Sequence, residues 1–300
     1  MGEIPLVVIN VQRGGPSTGQ PTKVEQGDLM TSIFGSHGDA PKVVLAPGTI
    51  EDCFYSVITA RKIAETFNMV VVVLSDASLA TSQAPFMRPQ FSAAWLAPPI
   101  DQSEIPAGQK PYDWNEKTGM ARRFIPGQPG GMHTLTGLAH DDLSHVAYDP
   151  DTNEKSIRAR SHKLAALQKT LATPSVFGDP KGDLLVIGWG STKGAIEEAV
   201  TNLRADGHKV SSLHLTFLQP MASGLKEIMQ RFKKVITIEG NWSDDAKDAI
   251  IDENNRRHSA VAMLLRSRYL IDVDCWSEVR GQPIKPATIQ RVILDKLKQK

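Results

Sequence analysis

The chain has 300 residues, of which 41% are hydrophobic and 22% charged, and its formal net charge is +1. This composition can form a full core in two domains, and it provides no concentrated basic face for a nucleic acid or a membrane surface. The longest apolar run, Met69–Leu74, is far shorter than the roughly 20 residues of a membrane span. The first residues also lack the basic region of a secretory signal. We therefore expect a cytoplasmic protein.

The first 80 residues are predicted to form a strand–helix–strand unit. A strand is expected at Pro5–Val11, and a loop rich in Gly, Pro, Ser and Thr follows at Gly14–Pro21. A second strand is expected at Lys42–Ala46. Thr49 then has the character of an N-cap for a helix that ends at about Phe67. The valine-rich run that follows the helix is typical of a strand buried on both faces of a parallel sheet.

Periodicity is lost from Ser78 to about Pro150, where proline and glycine are frequent. An irregular stretch of this length is unusual inside one compact domain, so we interpret it as a linker that wraps over a neighbouring surface. A helix is predicted after it, over Asn153–Leu171.

From Gly182 onward, predicted strands and helices alternate, which is typical of an open parallel α/β sheet. The predicted strands are Asp183–Ile187, Lys209–Leu215, Lys234–Glu239 and Tyr269–Cys275. The predicted helices are Thr192–Asp206, which ends at the C′ glycine Gly207, then Ala222–Arg231, Ser259–Arg266 and Ala287–Lys298. The sequence thus predicts an α/β protein with domains at 1–80 and 182–300, joined by a linker and helix at 81–181.

One segment, VQRGGPSTGQPTK at 11–23, has the composition of an anion-binding loop. It leaves the carboxyl end of a predicted strand, where open α/β sheets bind their ligands. Arg13 offers a planar fork to a carboxylate, and the paired glycines after it allow close approach of the backbone. Ser17 and Thr18 add hydroxyl donors, and Lys23 adds a second cation. A surface loop with a solvated Arg and Lys is the alternative interpretation.

Two other patterns are weaker. The run GWGSTKG at 188–194 follows a predicted strand and is interpreted as a tight turn with an N-cap, because it is neither a dinucleotide nor a Walker fingerprint. His140, Asp141, Asp142 and His145 could be metal ligands, but they lie in the irregular linker and we expect no metal on this chain.

The run QRGGPSTGQPTK, with the EQGDLMTSIFGSHGDAPKVVLAPGTIEDCF that follows it, resembles the alpha subunits of 2-oxoacid:ferredoxin oxidoreductases. The later runs TGLAHDD, DLLVIGWGSTKGAI, LHLTFLQP and YLIDVD are similar to the same subunits in the same order. The resemblance implies part of a pyrimidine-side thiamine-enzyme domain at 1–80 and, at 182–300, a domain like the C-terminal domain of transketolases. It also implies oxidative decarboxylation of a 2-oxoacid to an acyl-CoA.

The resemblance assigns the site residues. Arg13 is the catalytic and substrate-binding group that holds the α-carboxylate. Thr18, Lys23 and Ser17 are the further substrate contacts, with Lys23 placed for a distal carboxylate. The TGLAHDD element favours 2-oxoglutarate, with succinyl-CoA as product, over branched-chain 2-oxoacids or pyruvate.

The resemblance also implies partners. Thiamine diphosphate would bind at the interface with a beta subunit, which would carry Mg²⁺ and the iron–sulfur cluster. Cys53 and Cys275 cannot supply the four thiolates of a common cluster, which agrees with this placement. Ferredoxin and coenzyme A would act through the complex, and alpha subunits are expected to self-associate.

Two departures from the family are evident. The stretch that supplies an acidic contact to the cofactor has no counterpart before Pro5, so we expect a truncated, split or atypical subunit. Ser243–Arg257 also resembles an insertion after Glu239-Gly240-Asn241. A non-catalytic assembly module, or a transketolase-like enzyme without electron transfer, therefore remains an alternative.

Overall fold

The computed structural model describes residues 1–299, in which nine strands form two sheets. The strands are β1 (Leu6–Gln12), β2 (Val43–Leu45), β3 (Val70–Asp76), β4 (Val176–Phe177), β5 (Gly182–Trp189), β6 (Val210–Leu215), β7 (Phe217–Gln219), β8 (Phe232–Glu239) and β9 (Asp274–Ser277). The α-helices are α1 (Leu29–Phe34), α2 (Ile50–Phe67), α3 (Ala77–Thr81), α4 (Pro150–Gln168), α5 (Lys193–Ala205), α6 (Leu225–Met229), α7 (Ala260–Tyr269) and α8 (Pro286–Lys298). This arrangement confirms the predicted α/β class. Of the helices in this part of the chain, none is both long and apolar enough to cross a bilayer.

The first sheet has the strand order β1-β3-β2-β7. β1 and β2 run parallel to the central strand β3, whose residues from Val71 onward are buried, as its continuous valine run predicted. β1 lies at the edge of the sheet. Its apolar side chains Leu6, Val8, Ile9 and Val11 remain between 39% and 56% exposed, and they point to both faces.

The helix between β2 and β3 begins as predicted. The side chain of Thr49 accepts a hydrogen bond from the Asp52 amide at 3.0 Å, which satisfies one of the free N–H groups of the first turn. Glu51 and Asp52 place negative charge at the positive end of the helix dipole. The helix ends at Asn68, which has a left-handed φ of +48°. The predicted strand–helix–strand unit is therefore confirmed.

The segment from Ser82 to Asp149 is irregular apart from the single 3-10 turn at Ala93–Trp95. Backbone turns and side-chain contacts hold it together; for example, the Tyr112 amide donates to the Asp142 carbonyl at 3.1 Å. Arg122 Nη2 donates to the carbonyl of Ser103 at 2.6 Å. The next helix, α4, starts at Pro150 and is capped by Asp149, so the predicted helix at Asn153–Leu171 was placed three residues too late at each end.

The second sheet has the strand order β4-β6-β5-β8-β9 and confirms the predicted open, mostly parallel sheet. Only β4, at one edge, runs antiparallel to its neighbour. Side chains of α5 and α8 pack against one face of this sheet, and those of α6 and α7 pack against the other. The long central strand β5 is buried from Leu184 to Trp189.

Two predicted elements differ from the structure. The strand predicted at Tyr269–Cys275 is wrong in its first five residues, because α7 continues through Tyr269 and ends at Leu270 with a φ of +54°, and β9 begins only at Asp274. The helix predicted at Ala222–Arg231 is shorter, because Gly224 has a left-handed φ of +87° and α6 begins only after it. In both cases a left-handed residue, which periodicity does not reveal, sets the helix boundary.

The short strands β4 and β7 were not predicted, since two or three residues carry no recognisable alternation. β7 lies within the range 182–300 but pairs with β2 of the first sheet, where Leu45 is opposite Phe217. The bounds 1–80, 81–181 and 182–300 remain a prediction. The two sheets are joined through this strand and through a shared buried cluster that includes Leu29, Leu74 and Trp189.

His214 of β6 lies where the two sheets meet. A Cβ on Gly48, just before α2, would come within 2.6 Å of its Nε2 atom. Neither ring nitrogen has a hydrogen-bond partner among residues 1–299. Burial, together with the nearby positive charge of Lys193, lowers the pKa of His214 from 6.5 to about 4, and the Asp52 carboxylate only partly offsets this. The folded protein therefore keeps this imidazole neutral over a range in which the unfolded chain protonates it.

We expect His214 to make the chain less stable at acidic pH. Below pH 6.5 the unfolded state binds the proton first, so stability falls from about pH 6.5 to about pH 4, by about 3 kcal/mol in total. His214→Gln should remove this part of the pH slope, as measured by urea unfolding of the purified chain from pH 7 to pH 4. The same substitution at the exposed residue His37 is the matched control. Identical slopes in the His214 variant and the unsubstituted chain would contradict the assignment.

Candidate functional site

The loop that follows β1 lies at the carboxyl end of the first sheet. β1 ends at Gln12, which is opposite Asp76, the last residue of β3, so both strands end at the same edge. Parallel strands of open sheets place their ligands at this edge. The anion-binding loop predicted at 11–23 therefore has the expected position in the fold.

The backbone of this loop closes on itself. The Gly14 amide donates to the Lys23 carbonyl at 3.0 Å, and the Gln20 amide donates to the Gly14 carbonyl at 2.9 Å. Gly19 has a φ of +43°, and a Cβ at this position would lie 2.3 Å from the Gly14 carbonyl oxygen. Only glycine fits there, because any side chain would force the closed loop apart.

The four predicted site residues Arg13, Ser17, Thr18 and Lys23 are all exposed on this loop. Arg13 Nη1 donates to the carbonyl of Thr18, which fixes the guanidinium against the far side of the loop. The side chains of Ser17 and Lys23 are not joined to Arg13 by a hydrogen bond within residues 1–299. Neither Arg13 nor Lys23 takes part in the ion pairs found within residues 1–299. The loop thus presents two cations that form no ion pair within residues 1–299, while the Glu25 carboxylate binds the Gly15 amide nearby.

The first sheet fixes the start of the loop through Gln12, which sequence reasoning missed. Its side chain is buried, donates to the Ser75 carbonyl at 3.1 Å and accepts from the Asp28 amide at 3.0 Å. Asn10 Nδ2 in turn donates to the Asp28 carboxylate at 3.0 Å. Arg13 therefore follows directly on a residue that cannot move without losing buried hydrogen bonds.

The second sheet fixes the end of the loop. The Val24 amide donates to the carbonyl of Gly281 at 3.2 Å, and the Gln26 amide donates to the carbonyl of Gly240 at 2.8 Å. Gln26 Nε2 also donates to the Trp189 carbonyl at 2.8 Å. Sequence reasoning missed these partners as well. The only signal in the sequence was that the EQGDL run, which contains Gln26, follows the loop directly.

The TGLAHDD element lies in the irregular segment. The ring of His140 is buried and stacks on Tyr112, with 4.0 Å between centroids. Asp142 pairs with Lys110 at 2.8 Å and with Lys155 at 3.4 Å, and these hydrogen-bonded cations hold the pKa of its carboxyl below the usual value. Residues 1–299 contain no group of three or more His, Cys, Asp and Glu side chains arranged to hold a metal ion.

The turn at 188–194 differs in part from its interpretation. Gly190 has a φ of +57°, as a tight turn requires, but the side chain of Thr192, at the N-cap position of α5, accepts no capping hydrogen bond. Its hydroxyl instead donates back to the Trp189 carbonyl at 2.8 Å. Ser191 donates to the buried Asp76 carboxylate and so ties this turn to the first sheet. The turn joins the sheets and has the geometry of a structural link.

Hydrogen bonds between its ends close the segment Ser243–Arg257, which is predicted to be an insertion. Arg257 Nη2 donates to the Asp244 carboxylate at 2.9 Å, and the Asp244 amide donates to the Arg257 carbonyl at 3.0 Å. The guanidinium and the backbone amide of Arg257, with the Trp242 indole, donate to the Asp244 carboxylate and hold its pKa well below the usual range. The Gly240 turn before the insertion keeps its contact with the loop, so the insertion leaves the turn beside the site.

Residues 1–156 match the family described as "Pyruvate flavodoxin/ferredoxin oxidoreductase, thiamine diP-bdg". The chain is 37% identical to the 2-oxoglutarate oxidoreductase subunit KorA of Mycobacterium tuberculosis, over 98% of this chain and 42% of that protein. It is 32% identical to the 2-oxoacid:ferredoxin oxidoreductase 1 subunit alpha of Aeropyrum pernix, over 84% of this chain and 40% of that protein.

A solved structure is also similar over almost the whole chain. The 2-oxoglutarate:ferredoxin oxidoreductase from Magnetococcus marinus, determined with 2-oxoglutarate, coenzyme A and succinyl-CoA bound, superposes with a TM-score of 0.85 at 30% identity. The match covers 99% of this chain and 50% of that one, so the chain spans half or less of the length of these relatives. The chain belongs to the thiamine diphosphate-binding family of pyruvate flavodoxin/ferredoxin oxidoreductases, and it is similar throughout its length to alpha subunits of 2-oxoacid:ferredoxin oxidoreductases.

Proposed function

We propose that this chain is the substrate-orienting part of a 2-oxoacid:ferredoxin oxidoreductase alpha subunit that acts on 2-oxoglutarate. The observation that carries this proposal is the fixed loop at the carboxyl end of β1, on which Arg13 and Lys23 are exposed and form no ion pair within residues 1–299. A substrate with two carboxylates needs two cations at separate points. The overall reaction is the oxidative decarboxylation of 2-oxoglutarate to succinyl-CoA, performed together with a beta subunit.

Each loop residue has one task in this proposal. Arg13 forks onto the α-carboxylate, because a guanidinium donates two parallel hydrogen bonds in the plane of a carboxylate. Lys23, a mobile point charge ten residues further along, binds the distal carboxylate. The hydroxyl groups of Ser17 and Thr18 donate to the remaining substrate oxygens. Because the backbone of the loop is already closed, little conformational entropy is lost when the substrate binds.

The cofactor is proposed to bind between this chain and a beta subunit. Thiamine diphosphate supplies the carbanion chemistry, while these residues only bind and orient the 2-oxoacid. The described residues do not by themselves fit the diphosphate, since a Mg²⁺-bound diphosphate needs oxygen ligands that this part of the chain does not group together. We place Mg²⁺ and the iron–sulfur cluster on the beta subunit, with ferredoxin and coenzyme A acting through the complex.

Three further points belong to the proposal. The 2-oxoglutarate specificity is supported by the names of the M. tuberculosis and M. marinus relatives and by the two cations of the loop. Self-association of alpha subunits is supported by the exposed apolar side chains of β1 and of the irregular segment. We place the complex in the cytoplasm.

Arg13→Lys should impair the assembled enzyme although the charge is kept. An ammonium cannot form the bidentate fork, and the loss of a hydrogen bond to a charged group costs roughly 1.5–3 kcal/mol. This corresponds to a decrease of about ten- to a hundred-fold in kcat/KM for 2-oxoglutarate. Arg158→Lys, on the exposed face of α4, is the matched control and should remain near the unsubstituted enzyme. Near-normal kinetics for Arg13→Lys would favour a solvated loop and an assembly role for the chain.

Lys23→Ala should change selectivity more than general activity. Without the second cation, 2-oxoglutarate loses the partner of its distal carboxylate, whereas pyruvate has none to lose. We expect kcat/KM to fall about tenfold or more for 2-oxoglutarate, and less than about threefold for pyruvate, in steady-state ferredoxin reduction. Lys117→Ala, at an exposed position of the irregular segment, serves as the control. Equal losses on both substrates would leave the site intact but remove the argument for 2-oxoglutarate.

A further inference from the structure

Gln26 is a buried amide that joins the loop to the second sheet. Its side chain is 1% exposed. Its Oε1 accepts from the Gly240 amide at 2.7 Å, and its Nε2 donates to the Trp189 carbonyl at 2.8 Å. Its backbone amide donates to the Gly240 carbonyl at 2.8 Å. All three bonds cross from the loop to residues more than 160 positions further along the chain, so Gln26 connects two separately built parts of the molecule.

The groups that bind Gln26 are themselves held by one carboxylate. Glu239 is fully buried at the end of β8, directly before Gly240. It accepts hydrogen bonds from Trp189 Nε1 at 3.1 Å and from the Val261 amide at 3.0 Å. The amide of Ala262 and the side chains of Ser259 and Asn241 also donate to it. The platform for Gln26 is therefore rigid, because moving it would break several bonds to a buried charge.

The turns at Gly190 and Gly240 pack closely against the side-chain amide of Gln26. Gly190 has a φ of +57°, and a Cβ there would come within 2.6 Å of Gln26 Nε2. A Cβ on Gly240 would lie 3.3 Å from Gln26 Oε1. Two glycines thus allow the turns of the second sheet to approach the loop. The amide of Gln26 fits between them in one orientation.

Gln26 lies close to the substrate-facing residues along the loop. Its neighbour Glu25 accepts a hydrogen bond from the Gly15 amide at 2.7 Å, two residues after Arg13. Lys23 lies three residues before it. Gln12 fixes the other end of the loop to the first sheet. The position of Arg13 is consequently determined by both sheets. Gln26 is the buried side chain that fixes the loop to the second sheet.

We propose that Gln26 is a positioning residue that sets where Arg13 and Lys23 meet the substrate. It does not touch the substrate itself. The inference rests on the proposed function of Arg13, since a loop without a ligand would have nothing to position. Replacing the amide by a hydrocarbon keeps the side-chain volume but removes the two bonds that fix its orientation. The loop would then bind the 2-oxoacid in several positions, only some of them productive.

The test compares Gln26→Leu with Gln168→Leu in the assembled enzyme. Gln168 also crosses to the C-terminal part of the chain through a single Nε2 bond, to the Met221 carbonyl at 2.7 Å, but it lies at the end of α4, outside the loop. We expect both variants to lower Tm, Gln26→Leu by more, because it loses two buried hydrogen bonds and Gln168→Leu loses one that is half-buried. Only Gln26→Leu should raise KM for 2-oxoglutarate, by about tenfold, with kcat within about threefold of normal. Equal effects on KM in both variants would overturn the proposal.

Gly240→Ala gives a second measurement that does not depend on how well Gln26→Leu folds. Its methyl group would lie 3.3 Å from Gln26 Oε1, so the amide must shift by a few tenths of an ångström while keeping its partners. We expect KM for 2-oxoglutarate to rise about two- to threefold at an unchanged Tm. An unchanged KM would overturn the proposal.

A combined variant separates this inference from the proposed function. If Gln26 acts through Arg13 and Lys23, then Gln26→Leu should lower kcat/KM by less than about twofold in an enzyme that already carries Arg13→Ala and Lys23→Ala, because neither cation remains to be positioned. A second full tenfold loss would mean that Gln26 acts on the whole structure, and the positioning role would fail alone. Normal kinetics for Arg13→Ala by itself would overturn the proposed function, and this inference with it.

Discussion

The site depends on how polar groups are satisfied at a buried seam between two sheets. The turns that end β5 and β8 bring backbone amides and carbonyls into this seam, where water cannot reach them. Gln26 supplies hydrogen-bond partners to these groups from the loop side. Asp76, at the end of β3, accepts a hydrogen bond from Ser191 and also caps α3. Because an unpaired buried polar group is costly, each sheet holds the other in one position. An exposed loop between two such anchors can then carry charges in a defined place.

The buried Glu239 shows how the second half of the chain contributes without facing the substrate. A carboxylate removed from water is unfavourable unless it is fully hydrogen-bonded, and here five donors surround it. Two of these are the free amides at the start of α7, so the charge also interacts favourably with the helix dipole. This arrangement joins β5, β8 and α7 into one unit. The buried Glu239 carboxylate therefore helps to fix the position of the exposed site residues, through the turns that bind Gln26.

Local chemistry made much of the fold predictable. Thr49 has its amide partner three residues away, and the valines of β3 form one uninterrupted run, so both could be recognised within a short window. Arg13 was identifiable because its residue type, the adjacent glycines and the strand before them point to one kind of chemistry, and because the motif resembles a known family. Gln26 was not identifiable, since its partners are Trp189 and Gly240 and no local pattern announces a contact over that separation. β7 was missed because it is only three residues long, and its pairing with β2 is likewise a contact over a long separation.

The outer edge of β1 has a consequence for handling the protein. Along this strand Leu6, Val8, Ile9 and Val11 are exposed on both faces, and the outer backbone groups have no strand beside them within residues 1–299. A bare apolar edge is a template for any other extended chain, including a second copy of itself. Where no other polypeptide covers it, this edge is a predicted site of self-pairing. Dilute solution, or co-expression with a polypeptide that pairs with β1, reduces such pairing while the loop that begins where this strand ends is studied.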